Sequence, residues 1–140
     1  MNLFTRLFRK RPRPPSAGEQ AETVLHRFTT ATIMGVDRED LGRYPAKQRK
    51  VMAFHYGAIR CLARDFALDE TETLAVFVMF VNRYFNLPVS ETGSISERLQ
   101  GFQDNPDEHR YLAAGEDVFQ RWHEQGERRA PLELGEMLQA

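Results

Sequence analysis

Hydrophobic residues recur along this chain at three- and four-residue intervals, and no stretch of useful length alternates with period two. The pattern predicts helices and offers no sheet. Its densest apolar run is LAVFVMFVNRYF, residues 74–85. Val, Phe and Tyr favour strands, but the residues just before the run decide for a helix. Asp69 stands three positions ahead of Glu72, a capping box with Asp69 as N-cap, and Glu70 and Glu72 then meet the positive end of the helix dipole. The pattern continues to Asn86, and Pro88 opposes further extension. That length suits a helix and exceeds an ordinary strand. A helix apolar on nearly every side needs burial on nearly every side, so residues 70–86 are expected to form the central, most buried helix.

Other helices are predicted around it. Residues 46–66 follow Tyr44-Pro45, a proline placed as at a helix start, and carry Val51, Met52, Ala58, Ile59, Leu62 and Phe66 at helical spacing. Residues 106–125 open with Asn105-Pro106-Asp107-Glu108, a capping residue, a first-turn proline and two acids. Tyr111, Leu112, Val118, Phe119 and Trp122 share one face of that helix, and Gly126 stops it. Weaker patterns predict helices over 18–34, over 94–102 (Ser94 three before Glu97) and from Pro131, with Leu134, Met137 and Leu138. Residues 36–45 and 87–94 read as loops, and the nine glycines as boundary residues. The expected fold is all-α, an irregular bundle of five or six helices around the 70–86 helix.

Composition changes this picture little. A chain of 140 residues with 41% apolar and 28% charged residues suits one globular domain. Cys61 stands alone, which excludes an internal disulfide framework and a multi-cysteine zinc site and fits a reducing, cytoplasmic setting.

Charge adds a second feature. The net charge of −1 conceals a basic front end: residues 1–15 hold Arg6, Arg9, Lys10, Arg11 and Arg13 with no acid, leaving 14 of the 19 basic residues against all 20 acidic ones. Arg6 interrupts the apolar residues and the basic cluster follows them, the reverse of a signal peptide, so the segment reads as retained. If helical, it presents Leu3, Phe4, Leu7 and Phe8 on one face beside Arg6, Arg9 and Lys10. That make-up suits attachment at the inner face of an anionic membrane. Prolines 12, 14 and 15 set residues 1–17 apart, as a basic, proline-rich arm, from a single helical domain at 18–140. Nucleic acid is a disfavoured partner, because the acidic body repels phosphates.

Candidate chemistry is sparse. HExxH, a phosphate-binding glycine-rich loop and a G-x-S-x-G elbow are all absent, and no cofactor is implied. Glu22 with His26, and His123 with Glu127, are each four apart on a predicted helix and could offer two metal ligands, although sites need three or four. His55 shares the stripe of Met52, Ile59 and Leu62, so it faces inward, where a packed histidine bonded to a carbonyl is the commoner outcome and a general base the rarer. Cys61 lies on another side of that helix and reads as an apolar filler. Binding features are stronger. Lys47, Arg49 and Lys50, with Arg60 and Arg64, line the outer face of the 46–66 helix, available to an acidic partner or to acids of the same chain. Aromatic residues make up 11% of the chain, and Tyr84, Phe102 and Trp122 are expected to supply an exposed anchor patch. The sequence thus points to a non-enzymatic protein-binding module, an adaptor or an immunity or inhibitor type. The rival is a small helical enzyme or metal protein using His55 or the two Glu/His pairs.

Overall fold

The structure, a computed structural model, describes residues 14–85 and 92–140. Every regular element among them is helical: α1 (Ala17–Ile33), α2 (Arg38–Arg43), α3 (Pro45–Asp65), α4 (Glu70–Phe85), α5 (Thr92–Asp104), α6 (Pro106–His123), a 3-10 turn (Ala130–Leu132) and α7 (Glu133–Gln139). No described helix is long and apolar enough to cross a membrane.

The helix starts follow local chemistry. The Asp69 carboxylate accepts from the Glu72 amide at 2.7 Å and the Asp69 amide donates to the Glu72 carboxylate at 3.3 Å, the reciprocal capping box expected of α4. Asn105 accepts from the Asp107 and Glu108 amides, and Ser16 from the Glu19 amide. One helix was not expected. Residues 36–45 contain α2, whose N-cap Asp37 accepts from the amides of Glu39 and Asp40. It carries a single large apolar residue, Leu41, too few for a periodic signal.

The packing corrects the sequence reading at its centre. The most buried helix is α3, with ten buried residues among its 21, whereas α4 buries only Val76, Phe77, Phe80 and Val81. Val78 and Leu74 are half-buried, and Met79 is 56% exposed. Apolar composition made α4 a candidate for the centre, but burial depends on how closely neighbours can approach. On that count α3 has the advantage of small residues.

Gly57 of α3 and Gly115 of α6 sit where these two helices touch backbone to backbone. A Cβ on Gly57 would stand 2.8 Å from the Glu116 amide nitrogen, and one on Gly115 would stand 2.6 Å from the Phe54 carbonyl carbon. These glycines are therefore not boundary residues but the contact points of a close helix crossing. Gly135 of α7 meets the backbone of Gly35 in the same way. Arg49 lies against Glu108 and Arg60 against Glu116, so α3 and α6 run in the same sense across the contact.

Phe28, Phe54, Phe77, Phe102 and Phe119 are all fully buried. Phe28 meets Phe119 edge-on at 5.2 Å, and Phe102 meets Phe77 edge-on at 6.1 Å. Such edge-to-face pairs add to the area they bury. The expected surface patch containing Phe102 is thus corrected: α5 turns that ring inward against Phe77 and Tyr56.

Candidate functional site

Two clefts of this surface meet at the C-terminal half of α4. Positions 76, 79, 80, 83 and 84 of that helix fall on its side toward α1 at three- and four-residue spacing. Glu22 and His26, four apart on α1, face them together with Leu25. The result is a cleft of about 190 Å³ with an apolar floor of Leu25, Val76 and Phe80, and with Met79 exposed at its edge. His26 Nδ1 and the Tyr84 hydroxyl are 2.6 Å apart, and their rings stack with centroids at 6.3 Å. Burial raises the Glu22 carboxyl above its ordinary range, helped by the like charge of Glu19 and opposed by Arg83.

A second cleft of about 380 Å³ opens on the other side of Phe80, Arg83 and Tyr84, which line both. Its remaining walls are Ile33 at the end of α1, Arg38, Leu41 and Gly42 of α2, Gln48, Val51 and His55 of α3, and Phe85. Phe80 links the two clefts to the core, its ring tilted against Tyr84 at 5.2 Å and stacked on His55 at 4.8 Å.

His55 is fully buried, as its stripe predicted. Its Nδ1 lies 2.8 Å from the Val51 carbonyl, and its Nε2 lies 2.8 Å from the Thr32 hydroxyl. A carbonyl only accepts, so Nδ1 carries the proton and neutral Nε2 accepts from Thr32. Burial lowers the ring's pKa to about 4, with the Val51 bond opposing weakly. A ring so enclosed and so bonded holds the packing of α1 against α3. It is the packed histidine bonded to a carbonyl.

The structure brings together Glu22, His26 and Tyr84, which are distant in sequence, and sets His55 behind them. It separates the rest. Trp122 is half-buried against Phe28 and Phe119 and lines neither cleft. His123 stacks on Phe119, while Glu127 is paired with Arg121, so those two do not form a ligand pair. Lys47 pairs with Asp40, Arg49 approaches Glu108 at 4.0 Å, and Lys50 lies over the Tyr111 ring. The basic stripe is therefore largely met by acids and aromatics of the same chain. Cys61 is buried, and burial pushes its thiol up to about 11, which leaves it unreactive at neutral pH. Among the described residues no three His, Cys, Asp or Glu side chains converge as a metal site. The arm candidates Leu3, Phe4, Arg6, Leu7, Phe8, Arg9, Lys10, Arg11 and Arg13 lie outside the described residues.

Arg38, Met79 and Arg83 were missed from sequence. Arg83 read only as the end of an apolar run, Met79 as core, and Arg38 as loop. The signal available was weak: Met79 and Arg83 are four apart on one helix, but nothing local marks which side of α4 stays open. No protein-family model, curated protein or solved structure matches this chain.

Proposed function

We propose that this protein is a non-enzymatic binding module that takes an apolar anchor of a protein partner into the groove between α1 and α4. The observation that carries this reading is Met79, 56% exposed on a helix whose neighbours Val76 and Phe80 are buried beneath it. A flexible thioether above an apolar floor adapts to varied side chains, and such centres supply most of the binding energy at interfaces. Glu22 and Arg83 form a rim of both signs, suited to fixing the orientation of a partner segment. An adaptor and an inhibitor-type protein both fit this description.

Once a partner has been recovered from native extract, Met79→Asp with Tyr84→Ala should weaken it at least about tenfold, because a buried anchor contact controls dissociation. Lys47, Arg49 and Lys50 changed together to alanine should cost little, since rim charges mainly tune association rate. The opposite ranking would move the interface to the basic face of α3. Stoichiometric zinc, iron or manganese in tag-free protein would instead favour the metal-protein reading through His26 and Glu22.

The basic arm extends this reading to a membrane surface. Each of its four apolar side chains gains roughly 1.5–3 kcal/mol at full burial, while ordering the backbone costs about 1–2 kcal/mol per residue. Attachment is thus weak and needs anionic lipid. Full-length protein should sediment with anionic vesicles at low salt and be released at high salt. Protein lacking residues 1–15 should stay in solution with an unchanged melting temperature. Full-length protein that ignores the vesicles would remove the membrane role, and loss of folding on truncation would assign the arm to the core.

A further inference from the structure

The larger cleft shares Phe80, Arg83 and Tyr84 with the groove but takes its other walls from Ile33, α2 and α3, and its ligand is inferred separately from the reading above. Its floor is firmly built, and its apolar walls Ile33, Leu41 and Phe85 stand beside polar Gln48. Val51 and His55 are buried on α3, and Phe80 is held against His55 at 4.8 Å. Its mouth is positive. Arg38 enters from α2 and Arg83 from α4, and neither pairs with a described carboxylate, whereas Lys47, Arg49, Arg60 and Arg121 each do. Of the nearby acids, Asp37 caps α2 and Asp40 pairs with Lys47, while Glu39 adjoins Arg38 in sequence and Glu22 shares the neighbouring groove with Arg83. Arg83 is steadied over the Tyr84 ring at 5.8 Å. Both guanidinium groups lower the Tyr84 phenol's pKa against the upward push of burial, so their fields meet at one point of the rim.

We propose that this cleft binds a small amphipathic anion, a carboxylate on an alkyl or aromatic body, between Arg38 and Arg83. Guanidinium groups recognise carboxylates with paired, charge-assisted hydrogen bonds. The body then covers Ile33, Leu41 and Phe85, the partly exposed apolar walls, which a bare inorganic anion would leave open to water. A volume of about 380 Å³ lies within the range of roughly 300–1,000 Å³ typical of small-molecule sites.

The test is calorimetric titration of the full-length protein with decanoate below its micelle concentration, alongside the neutral decanamide. Decanoate should bind saturably, one to one, with Kd below about 1 mM. Decanamide and the Arg38→Gln/Arg83→Gln variant should each show at least about a tenfold loss, since the charged pairing is gone. Both arginines are exposed, so the variant should melt with the parent. Gly42→Trp supplies an independent block. Gly42 is exposed on the cleft rim, and a Cβ there meets nothing within 4 Å, so the fold accepts a bulky indole that should crowd the mouth and weaken binding. Absence of saturable binding, equal affinity for decanamide, or undiminished binding by either variant would overturn the assignment.

Discussion

Gly115→Ala is expected to destabilise the protein by about 3 kcal/mol or more, lowering its melting temperature by roughly 10 °C. The added methyl has nowhere to go. It would lie 2.6 Å from the Phe54 carbonyl carbon and against its oxygen, and both atoms belong to the backbone of α3 rather than to a side chain that can rotate away. Relief requires α3 and α6 to separate, which opens space around Phe54 and Phe119, both fully buried. Overpacking of this kind ordinarily costs about 1–3 kcal/mol, and a rigid backbone obstacle raises it. Gly42→Ala is the matched control. The same methyl there meets nothing within 4 Å, and removing a helical glycine should leave stability unchanged or raise it by up to about 1 kcal/mol. If the two variants melt together, the close crossing of α3 and α6 is wrong.

The second large effect is on acid stability. His55 has a folded-state pKa lowered to about 4 from 6.5, because its ring is wholly enclosed by protein. In the unfolded chain the ring gains its proton near pH 6.5, so between that value and about pH 4 the unfolded state binds more protons. The contribution is present in full above pH 6.5 and is lost as pH falls toward the folded value. At pH 4.5 the loss from this residue alone comes to about 2–3 kcal/mol. Phe28, Phe54 and Phe80 surround the ring at 5.8, 5.6 and 4.8 Å and offer no counter-charge. Protonation would also reverse the Thr32 hydroxyl. Its single proton would leave Nε2 and turn to the Thr29 carbonyl, 2.9 Å away. Urea unfolding at pH 7.5 and pH 4.5 should show a larger loss in the parent than in His55→Gln, by about 2 kcal/mol. A histidine ring resonance that stays neutral to below pH 5 identifies the residue directly. A His55 resonance titrating near pH 6.5 would contradict the enclosed site.

The helices were legible where their signals are local. Asp69 with Glu72, and Asn105 ahead of Pro106, satisfy backbone groups within a few residues, so no distant part of the chain is needed to read them. The inward direction of His55 was equally legible, because a stripe on one helix is a property of that helix. Its partner Thr32 was not, since it lies 23 residues away on α1. Phe102 shows the opposite failure. The chain's aromatic content points to exposed rings, yet the rings pack edge to face and fill the interior together.

The candidate site divides in the same way. Glu22 and His26 share a face by spacing alone, but Tyr84 completes the cluster from 58 residues beyond His26. Arg38 and Arg83 come to one cleft only because the start of α2 and the end of α4 both border α3 there.

What local sequence settled was the all-α class, the positions of six helices and the inward side of α3, because capping and periodicity act within a few turns. What tertiary structure alone decided was which helix lies at the centre. Apolar content favoured α4, but Gly57 and Gly115 let α3 and α6 approach to backbone contact and gave that place to α3. With α3 enclosed, the C-terminal half of α4 borders both clefts, one toward α1 and one toward α2 and α3. Hydrophobic burial rewards any apolar surface alike, so composition ranks the candidates, while shape at close range selects among them.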